Sequence, residues 1–207
     1  MAIKYFKIYG ERNSGTNYLY QLFRRNFNLK YLGHHWDSPF QWKHDILDYT
    51  EFKDSKDLAD QTLFLHIYKN PYSWSISMHH KPHHMNHMCK KEITMSEFLN
   101  SNWDEKNMFS SGSEDIDTIT VNLQSYENVF DLRYKKMDSH LGLINHVDNF
   151  YSISYEDLLQ NPDKILKSIR GQFELVKNSN FLNVNFRCDP VRRNDLPFSE
   201  IHSYYLN

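Results

Sequence analysis

Ile3-Lys4-Tyr5-Phe6-Lys7-Ile8-Tyr9-Gly10-Glu11-Arg12-Asn13-Ser14-Gly15-Thr16-Asn17-Tyr18 is the stretch on which the fold turns. Its first seven residues are largely apolar, β-branched or aromatic and stop at a glycine, which reads as a buried strand entering a turn. From Thr16 onward Tyr18, Leu19, Leu22, Phe23 and Phe27 fall on one helical stripe, with Arg24 and Arg25 mostly off it. The unit is strand, loop, helix. Gly10 and Gly15 have the separation of a nucleoside-triphosphate P-loop, but Thr16 and Asn17 stand where that loop needs Lys and then Ser or Thr to hold phosphates and magnesium. A nucleotide or small-molecule kinase of that class is therefore disfavoured. Two readings of the loop stand: a helix start whose backbone N–H groups, hydroxyls and dipole suit a phosphate or sulfate, with Arg12 beside it, or a plain N-cap by Ser14 or Thr16.

The same grammar recurs. Leu63-Phe64-Leu65-His66-Ile67-Tyr68 is a second compact strand, followed by Lys69-Asn70-Pro71-Tyr72 and a helix through Trp74 and Met78. Tyr151-Ser152-Ile153-Ser154-Tyr155 is a third, after which Asn161 at the N-cap and Pro162 at the first helical position begin a helix that buries Ile165, Leu166, Ile169 and Phe173. Strands alternating with helices predict an α/β domain with a mainly parallel sheet covered on both faces, and a ligand beyond the carboxyl ends of the strands. Between Ser101 and Asn122 the chain turns polar and rich in Ser, Asp and Asn, and is predicted to be a loop or lid.

A length of 207 residues with 40% hydrophobic and 24% charged content suits one globular domain, here 1–207. With 24 basic and 26 acidic residues the formal charge is -2, which excludes a general electrostatic surface for nucleic acid or anionic lipid, so any anion site is local. Two cysteines, Cys89 and Cys188, exclude a disulfide scaffold and a four-cysteine zinc module. No long apolar run predicts a signal peptide or membrane span, so a soluble, cytoplasmic protein is expected. The 12 histidines include His79, His80, His83, His84 and His87, of which His80, His84 and His87 could share a helical face near Cys89. Pro82 interrupts that helix and no second cysteine cluster completes a ligand set, so these imidazoles are expected at an acceptor cleft or in solvent rather than on a metal.

Four features together resemble the sulfotransferases that use 3'-phosphoadenosine 5'-phosphosulfate (PAPS). They are the Ser14-Gly15-Thr16 loop after the first strand, Lys69 after a strand with Ser77 eight positions on, Tyr155-Glu156-Asp157-Leu158 followed by Pro162, and Lys43-His44. The resemblance runs in order from about Lys4 to Leu175 and implies a three-layer α/β/α, P-loop NTPase-like fold. The chain departs from the family at Asn13, where many members carry Lys, at Tyr18 for Trp, at Lys69 for Arg, and at Lys43-His44, which are adjacent rather than one residue apart.

The resemblance implies PAPS as co-substrate, 3'-phosphoadenosine 5'-phosphate (PAP) as product, and no metal. Backbone N–H groups from Asn13 to Asn17, with the Ser14 and Thr16 hydroxyls, would hold the 5'-phosphate, and Arg12 would neutralise charge on the leaving oxygen. Lys69 and Ser77 would bind the 3'-phosphate, and Tyr18 and Tyr155 would flank the adenine. His44 beside Lys43 is the first choice of base, with His34, His35 and Glu11 as rivals. Late basic residues, Arg187, Arg192 and Arg193, would close over the 3'-phosphate or remain in solvent. The expected acceptor is a hydroxyl or amine of a carbohydrate or small molecule. A PAPS/PAP-binding module without turnover is the non-enzymatic alternative.

Overall fold

In the structure, a computed structural model, residues 2–33, 38–81, 93–106, 123–176 and 180–184 are described. Strand β1 spans Tyr5–Tyr9 and leads through the glycine loop into helix α1, Thr16–Asn26. A two-residue strand β2, Lys30–Tyr31, and short helices α2, Thr50–Asp54, and α3, Lys56–Ala59, precede β3, Thr62–Tyr68. Helix α4 covers Pro71–His80 and α5 covers Met95–Asn100. Strands β4, Trp103–Lys106, and β5, Leu123–Tyr126, follow, then α6, Val129–Gly142. After a 3-10 turn at Leu143–Asn145 come β6, Phe150–Ser154, α7, Tyr155–Gln160, and α8, Pro162–Phe173.

The main sheet runs β2-β1-β3-β6, and all its pairings are parallel. Successive side chains point to opposite faces, and β3 is buried continuously from Thr62 to Ile67 because both faces are covered. Phe6 and Ile8 of β1, Leu63, Leu65 and Ile67 of β3 and Ile153 of β6 pack against Leu19, Leu22 and Phe23 of α1, Leu158 of α7 and Leu166 and Ile169 of α8. On the other face Tyr9, Phe64 and Phe150 meet Phe40, Leu47, Phe52 and Leu143. Each such side chain taken fully out of water contributes about 1.5–3 kcal/mol, which is why the α1 stripe settles on β1. The expected three-layer α/β/α fold is the observed one.

Two local expectations change. Asn161 occupies the N-cap of α8 without a side-chain capping bond, whereas Ser154 caps α7 by accepting from Asp157 N–H at 3.3 Å. Within the stretch read as a polar loop, Trp103–Lys106 is a strand, antiparallel to β5 with Trp103 opposite Tyr126. Buried Trp103 and Tyr126 supply the reason: they close a third apolar cluster with Trp74, Met78, Phe98, Val129 and Leu132, outweighing the charged residues between them. Residues 107–122 of that loop lie outside the described residues.

Candidate functional site

Gly10 leaves β1 so close to β3 that a Cβ there would stand 2.4 Å from the carbonyl oxygen of Ile67. Two left-handed residues, Asn13 at φ 62 and Gly15 at φ 98, then swing the chain into α1. Gly15 is the N-cap and makes no side-chain capping bond. The Ser14 hydroxyl donates instead to the Glu11 carbonyl at 2.6 Å, so α1 starts at Gly15 without a side-chain cap. The Asn13 amide reaches across to α4, donating to the carbonyls of Lys81 at 3.2 Å and Ser77 at 3.4 Å. Asn13 therefore braces the loop with its side chain and leaves only backbone for a ligand. Arg12 lies 4.6 Å over the Trp42 ring, and its carbonyl accepts from the Trp74 indole at 2.8 Å.

The sheet register brings the second and third motifs to this loop. Tyr68 pairs with Ser154, so the residues that follow, Lys69 and Tyr155, emerge side by side. Lys69 Nζ donates to Ser77 Oγ at 2.8 Å and sits 5.1 Å from the Tyr155 ring centroid. Tyr155 in turn packs on the loop: a Cβ on Gly15 would lie 2.3 Å from its Cδ2. Glu156 ties the two strand ends together, accepting from Asn70 N–H at 3.0 Å and Ser73 Oγ at 3.1 Å, while Asn70 caps α4 through Tyr72 N–H.

Lys43 and His44 run along Gly10. Gly10 N–H donates to the Lys43 carbonyl at 3.1 Å, and His44 Nδ1 meets the Gly10 carbonyl. Since that carbonyl only accepts, Nδ1 carries the proton and Nε2 is bare. Burial, then Lys43 and Arg12, hold the His44 pKa well below the ordinary imidazole value. Lys43 Nζ donates to Asn17 Oδ1 at 2.9 Å; burial and the Arg12 charge lower its pKa to about 8. Burial also lowers that of Lys69. Glu11 moves oppositely: burial raises it to about 7 despite the pull of Arg133 and Lys136.

The loop, Lys43, His44, Lys69, Ser77 and Tyr155 thus converge at the carboxyl ends of β1 and β3. Tyr18 lies in the core beneath α1, its hydroxyl 3.5 Å from Asn183 Oδ1, while Thr16 is buried and Asn17 exposed. His34, His35, Arg187, Arg192, Arg193 and the His-rich segment beyond Lys81 lie outside the described residues. His79 is described, with Nε2 on the Ile93 carbonyl at 2.8 Å. Among the described residues no three His, Cys, Asp or Glu side chains are grouped to hold a metal.

Sequence reasoning missed α6. Its Arg133 donates to the Lys69 carbonyl at 2.6 Å, approaches Glu11 Oε1 at 3.4 Å through Nε, and stacks 4.6 Å over Trp74. Lys136 is buried beside it, and His140 donates from Nε2 to the Asp45 carbonyl at 2.8 Å. The signal was there: Arg133, Lys136 and His140 repeat at three and four residues, one helical face, while Phe130, Tyr134 and Leu141 are exposed. The buried face of this helix is mixed, with Arg133, Lys136 and His140 beside Val129 and Leu132.

No family model matches the chain, and no curated protein matches it. Among solved structures, a mouse sulfotransferase, SULT7A1, complexed with PAP is similar at 18% identity and a TM-score of 0.45. The match covers 86% of this chain and 60% of that one, so the chain spans under two thirds of its length.

Proposed function

We propose that this chain is a single-domain sulfotransferase that moves the sulfuryl group of PAPS to an acceptor carried by a carbohydrate or small molecule, with neither nucleic acid nor a membrane as partner and the cytoplasm as its place of action. The observation that carries the reading is the meeting of Lys69, Ser77, Tyr155 and Gly15, four residues from three distant segments, at one end of the parallel sheet. The donor set fits such an anion. Lys43, Lys69, Arg133 and Lys136 are only 4–9% exposed, with Glu11 buried beside Arg133 and Glu156 in electrostatic reach of Lys69 and Arg133. A bound anion beside cations this far from water favours their charged forms.

Bound PAPS supplies an activated S–O bond; the protein supplies position and charge. The N–H groups at the start of α1 receive the 5'-phosphate, with Arg12 at the leaving oxygen. Lys69 and Ser77 take the 3'-phosphate, Lys69 as a point charge without the fork of arginine. Tyr155 offers a ring face to the adenine, and Lys43 adds charge beside the loop. No role in this reading needs a metal.

A thermal-shift comparison tests it: at a hundredfold excess over Kd a ligand specific for the folded state adds about 2.7 kcal/mol, so PAP is expected to raise the melting temperature more than ATP with magnesium. The opposite order would return the loop to the kinase class. Transfer of radiolabelled sulfate from PAPS to a panel of acceptors then separates an enzyme from a silent binder.

A further inference from the structure

Beside Arg12, between the loop and α6, lies a pocket walled by Trp74, Met78, Trp103 and Leu132 and floored by Glu11, Arg133 and Lys136. Glu11 is 2% exposed and Arg133 6%, yet both Glu11 carboxylate oxygens and Arg133 Nη1 have no hydrogen-bond partner. A carboxylate at 3.4 Å from the guanidinium Nε does not satisfy them. Orphaned buried donors and acceptors are rare and expensive, and here they belong to two side chains lining one pocket. The group that satisfies both must donate to a carboxylate and accept from a guanidinium. A hydroxyl does so; so does one water, which the pocket has room to hold.

Resting on the sulfotransferase reading, we propose that this pocket receives the reacting group of the acceptor, that this group is a hydroxyl and not an amine, and that Glu11 is the base that takes its proton. The amine is refused electrostatically: among the described residues lining the pocket, an ammonium would face Arg12 of the loop and Arg133 and Lys136 of α6 against the single carboxylate of Glu11. Glu11 also outranks His44 on charge. A base that accepts a proton at His44 creates a buried cation beside Lys43 and Arg12, whereas the same proton at Glu11 removes a buried anion. A carboxyl raised to about 7 is matched to its task near neutral pH.

The step balances. The acceptor O–H proton passes to a Glu11 carboxylate oxygen as the acceptor oxygen bonds to sulfur. The bond between sulfur and the bridging phosphate oxygen breaks, its electron pair stays on the 5'-phosphate, and Arg12 with the loop N–H groups takes up that charge. Glu11 then returns the proton to water.

Three proteins test it: wild type, Glu11→Gln and Glu11→Asp, each measured for stabilisation by PAP and for sulfate transfer from PAPS to matched alcohols and primary alkylamines. Expected are an unchanged PAP shift in all three, transfer to alcohols over amines, and a fall in kcat of at least about a hundredfold in Glu11→Gln with KM for PAPS kept and partial recovery in Glu11→Asp. Turnover of Glu11→Gln within about threefold of wild type, or amines used as well as alcohols, overturns the proposal while a retained PAP shift leaves the sulfotransferase reading standing. No PAP shift in wild type overturns both.

Discussion

Lys43 holds its ammonium at 9% exposure with the Asn17 amide oxygen at 2.9 Å, and its pKa falls to about 8. An anion beside it favours the charged form, so PAP binding at pH 8 is expected to draw protons from solution; calorimetry in two buffers of different ionisation enthalpy reads this directly, and proton release would contradict it. Lys69 belongs to the same scale. Lys69→Met removes a charge-assisted hydrogen-bond donor, and PAP affinity is expected to fall at least about tenfold in a titration, since such bonds contribute about 1.5–3 kcal/mol. These residues were legible in sequence because their types carry the chemistry. The bracing role of Asn13 was not, because its partners, Ser77 and Lys81, lie over sixty positions away.

At the scale of elements, the loop between β1 and α1 depends on Gly15. Gly15→Ala meets both a left-handed backbone, about 1–2 kcal/mol for a residue with a Cβ, and the Tyr155 ring 2.3 Å away. Urea denaturation is expected to show a loss exceeding the backbone cost alone, together with a smaller PAP shift because Tyr155 must move; wild-type values for both would refute the packing. The strand-loop-helix units were readable because apolar periodicity and turn residues agree. Helix α6 was not. Its buried face carries Arg133, Lys136 and His140 beside Val129 and Leu132 while Phe130, Tyr134 and Leu141 are exposed, so no apolar stripe marks the inward side. Strand β4 escaped for a related reason: its pairing with β5 follows from Trp103 and Tyr126, not from local composition.

Across the whole molecule, burial makes stability depend on pH in two opposing senses. His44, His66 and His140 are buried with pKa values below the ordinary 6.5, that of His140 at about 4, because burial disfavours the imidazolium. The unfolded chain then binds more protons, so stability is complete above pH 6.5 and is lost as pH falls below it. Glu11 acts oppositely: its carboxyl is raised from 4.5 to about 7, so its contribution is present below pH 4.5 and is lost as pH rises through 7. Urea melts at pH 5, 6.5 and 8 are expected to show His140→Asn flattening the acid loss and Glu11→Gln gaining on wild type by pH 8; parallel curves for all three proteins would refute the assignment. The sequence by itself determined the alternation of strands and helices, the glycine loop and the identity of Lys69, Ser77 and Tyr155, since periodicity, φ requirements and side-chain chemistry are local properties. Only the tertiary structure decided that Lys69, Ser77 and Tyr155 meet on Gly15 and that Glu11 lies buried against Arg133. Strand register and burial set those distances and charges, and both arise from contacts between residues far apart in the chain.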